Sequence, residues 1–399
     1  MRIGTLLFIA IFVALSFAVQ RCAGIQPADA KPDARRAILV TFGPGPEIWE
    51  RFGHNALILI DPATPNEVPA FNWGVFDFDQ PGFVSRFVKG RMLYEMRPFD
   101  TQEMLAFYER TLGRSVVLDE LDLSGREMAR LFEVVRKQDT DANRSYRYDY
   151  YKDNCSTRIR DAIDSAVEGR LKLATEKVMT DTTLRWHTRR AVAGMWLFWI
   201  GIDLGMGTAT DNRLSVWDEM FLPRKLSEHL RATAVTRVDG RNAAISGDVR
   251  VLASANVIDE WMTPPVVWPW TLGVGVVLGA LLITLAKFNW RRLVHIGVGL
   301  WALLCSFACL VLVGFTFTDH WGAHQNASFA QVTPLAMVLL VMVIVSRWRR
   351  YAVKVALAVV VTAVLLPIVA RSIGSGPILA LTLPMHFASA WALWRLHRA

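Results

Sequence analysis

The chain has 399 residues, of which 53% are hydrophobic, and its four cysteines are too few for a small disulfide-stabilised protein. This apolar composition also excludes a disordered chain and a wholly soluble globular protein. The net charge of +8 does not indicate nucleic-acid binding, because residues 263–399 contain ten basic residues and one acidic residue (+9), which leaves −1 for residues 1–262.

The first residues have the pattern of an export signal. Arg2 precedes an apolar run over residues 3–19, and a small-residue cleavage pattern, Ala28-Asp29-Ala30, follows at some distance. Residues 1–30 are therefore either a cleaved signal peptide or an uncleaved membrane anchor. Both alternatives place residues 31–262 outside the cytoplasm.

Residues 31–262 have the pattern of an α+β domain. Short β-branched and aromatic runs predict strands, apolar residues at helical spacing predict helices, and Ser124-x-x-Glu127 is a capping box. The helix at 101–112 has Thr101 as its predicted N-cap, and an apolar stretch at 191–202 is predicted as a core helix or as one lying on the bilayer surface. The order lacks a βαβ rhythm, which favours α+β. Strands are predicted at 37–42, 56–60, 71–78 and 115–121, an extended segment at 146–151, and further helices at 124–137 and 158–167.

Residues 263–399 contain five apolar stretches, each of about 20 residues, which is long enough to cross the hydrocarbon core of a bilayer. Basic residues are concentrated in the first and third connections and in the C-terminal tail. The positive-inside rule places these segments in the cytoplasm and the loops at 316–326 and 371–375 outside. The sequence thus predicts an all-α bundle of five transmembrane helices, at 266–286, 293–315, 327–346, 351–370 and 376–394.

Cys155 is the cysteine best placed to act as a nucleophile. It lies in the first turn of a predicted helix, where the helix dipole and unpaired N–H groups favour thiolate over thiol. It is also the only cysteine in residues 31–262, and an exported compartment is oxidising. Its position is equally compatible with a small buried residue that packs a helix start. Cys305 and Cys309 are interpreted as packing residues of the second span.

A thiolate that transfers an acyl group needs a base that titrates near pH 7, which indicates histidine. The exported domain contains His54, at the entry to a predicted strand, and His187 and His229, which are predicted on the surface. A strand histidine is often only structural, so His54 is weak evidence by itself. Zinc binding is an alternative for these residues, but neither C-x-x-C nor H-E-x-x-H spacing occurs, and no metal site is predicted.

Several short motifs occur in a fixed order along the chain. They are Phe42-Gly43-Pro44-Gly45, Phe52-Gly53-His54-Asn55-Ala56, Asn72-Trp73-Gly74-Val75-Phe76-Asp77-Phe78, Tyr148-Asp149-Tyr150-Tyr151-Lys152-Asp153-Asn154-Cys155-Ser156-Thr157-Arg158, Gly201-Ile202-Asp203-Leu204 with Asp211, Phe221-Leu222-Pro223, and Thr318-Asp319-His320 with Asn326. Together these motifs resemble the periplasmic domain of the Lnb-type lipoprotein N-acyltransferases. The resemblance covers most of residues 38–340 and depends on the order and flanks of the motifs as well as on the attached membrane domain.

This resemblance implies a papain-like exported domain, a circularly permuted relative of the NlpC/P60 thiol hydrolases with histidine before cysteine in the chain. It implies that Cys155 is the nucleophile and His54 its general base. Asn154, Asn72 and Asp77 remain alternatives for orienting the imidazole or polarising the acyl carbonyl.

The resemblance also implies the substrates and the location. A phospholipid would donate a fatty acyl chain through a thioester on Cys155 to the N-terminal amine of a diacylglyceryl-cysteine lipoprotein, without a cofactor. Both substrates are anchored in lipid, so the lipid bilayer is the third partner. The expected location is the bacterial inner (cytoplasmic) membrane, with the catalytic domain on the periplasmic side.

The loop at 316–326 carries polar residues on the same side of the membrane as Cys155. His320 and Asn326, which belong to the resemblance, are predicted to contact substrate headgroups or the acceptor amine. The alternative is a solvated interfacial loop, which is the interpretation adopted for His324.

Two other functions fit the same residues. The first is a membrane-tethered thiol peptidase or amidase that acts on cell-wall peptide, as the wider NlpC/P60 group does. The second is a sensing or binding domain on a helical anchor or permease. The five stretches contain few ionisable residues, chiefly His295 and His386, which argues against a transport path.

Overall fold

The computed structural model describes residues 34–237, 239–254, 257–258, 260–369 and 374–398. Within these ranges an α+β unit is followed by long apolar helices, as the composition predicts. The predicted signal or anchor in residues 1–30 lies outside the described residues.

The α+β unit is organised around one antiparallel sheet of seven strands, in the order β11-β5-β1-β2-β3-β4-β6. Two further pairs, β7 with β8 and β9 with β10, lie outside it. The strands are β1 (Arg36–Phe42), β2 (His54–Ile60), β3 (Pro69–Val75), β4 (Leu93–Asp100), β5 (Val116–Leu121), β6 (Ser145–Arg147), β7 (Met179–Thr183), β8 (Arg213–Ser215), β9 (Ala234–Thr236), β10 (Asn242–Ala244) and β11 (Ser246–Ala253).

Both faces of the sheet are covered, which explains why β1 and β2 are almost continuously apolar. Leu39 and Leu57 pack with α3 and α4 on one face, and Val40 and Ile58 pack against Met104 of α2 on the other. The helices of this unit are α1 (Phe83–Lys89), α2 (Thr101–Ala106), α3 (Gly125–Gln138), α4 (Cys155–Ala166), α5 (Arg170–Thr175), α6 (Leu184–Ala191), α7 (Trp196–Gly205), α8 (Val216–Glu219) and α9 (Pro223–Ala232).

Local capping chemistry explains several helix starts. The predicted capping box of Ser124 and Glu127 opens α3. The predicted N-cap of α2 is wrong by one residue, because the carboxylate of Asp100, rather than Thr101, accepts the N–H of Glu103 at 2.9 Å. The C-terminal part of the helix predicted at 101–112 is a π-helix, at Phe107–Thr111.

Three other predictions fail in part. The strand predicted at 71–78 ends at Val75. Of the extended segment predicted at 146–151, only Tyr146 and Arg147 belong to a strand, β6, and Asp149 forms an isolated bridge with Asp153. Neither α1 nor β4 was predicted, because α1 follows a glycine without a capping side chain and most of β4 is exposed. The helix predicted at 191–202 lies at Trp196–Gly205, and it buries Trp199 while exposing Leu197.

Four of the later helices are long and apolar enough to cross a membrane: α10 (Trp268–Lys287), α11 (Arg291–Thr316), α13 (Arg349–Val369) and α14 (Gly376–Arg398). The stretch predicted as the third span, 327–346, is broken. The segment Trp321–Ala330, which overlaps its start, is bent by 51° from α12 (Leu335–Ile344), and Pro334 lies at the break. Ten residues of α12 reach only about 15 Å, half of the hydrocarbon thickness. The described residues therefore contain four candidate spans, or five if the bent pair is one span.

Candidate active site

Cys155 is the first residue of α4, and the asparagine before it fixes that helix start. The Asn154 carbonyl oxygen Oδ1 accepts the N–H of Thr157 at 3.0 Å, and the Thr157 hydroxyl accepts the N–H of Asn154 at 2.8 Å. The Asn154 amide nitrogen donates to the backbone carbonyls of Tyr150 at 2.8 Å and Phe221 at 3.0 Å. Because its side-chain bonds all go to neighbouring backbone, Asn154 positions Cys155 and does not contact the imidazole.

His54 begins β2, opposite Phe42 of β1. The residue before it, Gly53, has φ of +81°, and a Cβ there would lie 2.6 Å from the carbonyl oxygen of Phe42. Only glycine therefore fits this approach to the strand. The imidazole is stacked against Phe42 and Tyr108, with ring centroids 6.2 and 6.1 Å away.

The structure places the His54 imidazole near enough to the Cys155 thiol to lower the pKa of that thiol, although the two residues are 101 positions apart. Cys155 is 9% exposed. Burial raises the pKa of this thiol. Four interactions together lower the pKa by more than burial raises it: the charge and the hydrogen bond of His54, the backbone N–H of Asn55 and the Ser156 hydroxyl. The resulting pKa is about 7 instead of 9.0. A substantial fraction of Cys155 is consequently thiolate at neutral pH.

Asn72 of β3 is the side chain that holds the imidazole. Its carbonyl oxygen Oδ1 lies 2.8 Å from Nε2 of His54. Since an amide oxygen accepts, Nε2 of His54 carries the proton and donates, which leaves Nδ1 as the basic nitrogen for the thiol. Asn72 itself is buried in the sheet.

Asp77, the third candidate partner, does not contact the imidazole. It is exposed beyond the end of β3, where its carboxylate accepts the N–H of Asp79 at 2.8 Å and closes a turn. Nothing among the described side chains forms a group of three or more His, Cys, Asp or Glu residues able to hold a metal ion.

A second contact between β2 and α4 was not predicted. The Ser156 hydroxyl donates to Oδ1 of Asn55 at 2.8 Å, and the Asn55 amide nitrogen donates to the Thr41 hydroxyl at 2.9 Å and to the Val40 carbonyl at 3.1 Å. Asn55 and Ser156 are both completely buried. They follow His54 and Cys155 directly in the chain, so their bond fixes the two reactive side chains relative to each other.

The variant Ser156→Ala should lower the stability of the exported domain by about 1–3 kcal/mol, because it leaves a buried amide oxygen of Asn55 without its donor. The measurement is the thermal midpoint of the full-length protein in detergent, followed by tryptophan fluorescence. Ser165→Ala, in the last turn of the same helix, is the control. Equal midpoints for Ser156→Ala and the wild type would contradict this role.

Aromatic side chains surround the thiol. Tyr94 stacks on Tyr148 with centroids 4.0 Å apart, Phe76 stacks on Tyr94 at 4.8 Å, and Phe52 meets Tyr150 edge-on at 4.7 Å. Burial raises the pKa of Tyr94 to about 12, and the nearby Cys155 adds to the shift. These rings are neutral at physiological pH and provide an apolar wall beside the sulfur.

The loop that follows α11 packs on the exported domain. His320 Nε2 contacts the carbonyl of Phe87 at 3.0 Å, and the Asn326 amide donates to the carbonyl of Leu204 at 2.7 Å. His324 contacts its own loop at the carbonyl of Thr318, at 2.9 Å. His320 and Asn326 thus join the two parts of the chain, and neither belongs to the Cys155–His54 pair.

The prediction that His187 lies on the surface is wrong. His187 is completely buried, and its Nε2 lies 3.0 Å from the Glu219 carboxylate. The partly buried His229 contacts the other oxygen of Glu219 at 2.6 Å. The carboxylate explains both positions, because a buried imidazole requires a hydrogen-bond partner. Neither histidine contacts Cys155.

Comparison with known families agrees with the motifs. Residues 26–193 match the family model described as the Lnb N-terminal periplasmic domain. This part of the chain is an Lnb N-terminal periplasmic domain. This confirms the resemblance seen in the sequence, and the matched Lnb domain includes His54, Asn72 and Cys155. No curated protein and no solved structure was found to match.

The Lnb domain and the apolar helices together define a membrane protein with a periplasmic domain. The Lnb family is one of lipoprotein-modifying enzymes. The helices that follow residue 193 lie outside the matched range.

Proposed function

We propose that this protein transfers a fatty acyl chain from a phospholipid, through a thioester on Cys155, to the N-terminal amine of a diacylglyceryl-cysteine lipoprotein in the bacterial inner membrane. The observation that carries the proposal is the position of Cys155, at a helix start, near the His54 imidazole, whose Nε2 is held by Asn72. The match of residues 26–193 to the Lnb periplasmic domain supports the substrate class.

In the first half-reaction the Cys155 thiolate attacks the carbonyl carbon of the donor ester. The N–H groups of Cys155 and Ser156, in the first turn of α4, have no acceptor within the helix and are available to the developing oxyanion. When the tetrahedral intermediate collapses, the bond from carbon to the ester oxygen breaks. The protonated His54 gives its proton to the departing alkoxide, which leaves a thioester and a lysophospholipid.

In the second half-reaction the acceptor amine attacks the thioester carbonyl. Nδ1 of His54 removes a proton from the attacking nitrogen, the carbon–sulfur bond breaks, and Cys155 returns as thiolate. The product is an amide, so the reaction needs neither a redox group nor an activated nucleotide. Asn72 acts as a positioning residue, because it fixes the tautomer and plane of the imidazole through its 2.8 Å bond.

The experiment that tests this proposal uses the full-length protein in vesicles that contain phospholipid with a labelled acyl chain. Without an acceptor, label should accumulate on Cys155 and be released by neutral hydroxylamine, since thioesters are cleaved by it. Adding a diacylglyceryl-cysteine peptide should move the label to a hydroxylamine-stable amide. Cys305 and Cys309 lie in α11 and serve as internal controls that remain unlabelled.

A thiol peptidase built on the same pair of residues gives a different result. It would leave Cys155 unlabelled by phospholipid and would cleave cell-wall muropeptides. That outcome would overturn the acyltransferase proposal.

A further inference from the structure

Exposed apolar side chains form two groups on the exported domain, one on α1 and the segments beside it and one at the start of α7. Ring contacts connect the first group, with centroids 6.0 Å apart for Trp49 and Phe78 and 5.1 Å for Phe78 and Phe83. The Nε of Arg51, two residues after Trp49, lies 3.1 Å from the sulfur of Met195, where α7 begins. We call the two groups together the apolar belt, and its exposed members are Trp49, Phe78, Val84, Phe87, Val88, Trp196, Leu197 and Phe198.

Both ends of the apolar belt are attached to the loop that follows α11. At the α1 end, the carbonyl of Lys89 accepts the N–H of Asp319 at 2.9 Å. At the α7 end, the N–H of Gly207 donates to the carbonyl of Gly322 at 2.7 Å, and a Cβ on Gly207 would lie 1.8 Å from the carbonyl oxygen of His324. This contact therefore requires glycine.

These hydrogen bonds to the loop that follows α11 fix the position of the apolar belt along the membrane normal. Asp319 is only three residues beyond Thr316, the last residue of the candidate span α11. Both ends of the apolar belt consequently lie at the level where this span leaves the hydrocarbon. Val84, Phe87 and Val88 occupy one face of α1, whereas Arg86 and Lys89 supply cations beside it, which is the composition of an interfacial helix.

We infer that the exported domain lies on the outer leaflet of the bilayer through the apolar belt, in addition to the anchorage by its spans. The partner is lipid, with acyl chains against the apolar side chains and anionic headgroups beside Arg86 and Lys89. A line of rings connects the belt with the site, because Phe76 contacts Phe78 and also Tyr94, each at 4.8 Å. The use of this line as a path for an acyl chain rests on the proposed function, whereas lipid contact does not.

Photocrosslinking tests the inference directly. A benzophenone amino acid is introduced at Val84 or Leu197, which are 71% and 84% exposed, in the full-length chain in vesicles of phosphatidylethanolamine and phosphatidylglycerol. Leu173 of α5 is the matched control, because it is an aliphatic residue with 71% exposure outside the belt. Illumination should give phospholipid adducts, detected by mass spectrometry, at positions 84 and 197 but not at 173. Absence of adducts at 84 and 197, or equal yields at all three, would overturn the inference.

A charge variant gives an independent measurement. Val84→Asp should lower acyl transfer between substrates embedded in vesicles and leave the rate with detergent-dispersed substrates unchanged, while Leu173→Asp should change neither. An unchanged vesicle rate in Val84→Asp would contradict a role for the belt. The crosslinks do not require turnover. Failure of the lipid-contact inference can therefore be distinguished from failure of the proposed acyltransferase function.

Discussion

Replacing Cys155 by serine is expected to lower the acyl-transfer rate by about 10⁴-fold or more, the scale found when a catalytic nucleophile is removed. A serine hydroxyl at this position is not ionised near pH 7, whereas the pKa of the thiol is about 7. The oxyanion donors and the contacts of α4 with the sheet remain in the variant. The rate is measured as label transferred from phospholipid to a lipoprotein peptide in vesicles.

The control for this variant is Cys305→Ser, which changes a buried cysteine of α11 that has no contact with the site. It should keep the wild-type rate. The thermal midpoint of Cys155→Ser should equal that of the wild type, so that a lost rate reports chemistry and not unfolding. Near-normal turnover in Cys155→Ser would exclude the thioester route.

His54→Ala is expected to lower the rate by about 10²- to 10⁴-fold, the usual contribution of a general base. The pH profile should change with it. In the wild type the rate rises with pH through about 7 as Cys155 ionises. Removing the imidazole removes both its charge and its hydrogen bond, so the pKa of Cys155 rises and the rising limb of the profile moves to higher pH.

The matched control is His229→Gln, because His229 contacts Glu219 and not Cys155 and glutamine keeps a donor for that carboxylate. This control variant should leave the rising limb of the pH–rate profile at the same pH as in the wild type. A His54→Ala profile that is lower at every pH but has its limb still near 7 would show that His54 only supports the fold. The iodoacetamide alkylation rate of Cys155 as a function of pH gives the same pKa without turnover.

The parts of the fold that were predictable depend on local chemistry. The capping box at Ser124 and the apolar runs of β1 and β2 specify their elements within a few residues, and the long apolar helices follow from composition alone. The break before α12 was missed because hydropathy averages over a window and hides a single Pro334. β4 was missed because Glu95, Arg97 and Pro98 interrupt its apolar residues.

The candidate site was predictable as a set of residues but not as an arrangement. The helix start indicated Cys155, yet nothing local connects it with a residue 101 positions earlier. The choice among Asn72, Asn154 and Asp77 depends on strand register, which pairs Asn72 with Ala56 in the strand that begins at His54. His187 shows the same limit, because its burial depends on a carboxylate 32 positions away.

The position in the chain of the loop that follows α11 has a consequence for biogenesis. Residues 319–326 are synthesised after α11, so the exported domain with its complete Cys–His pair emerges before the segment that holds it at the bilayer exists. The attachment of the exported domain to this loop therefore forms only after translation has passed residue 326.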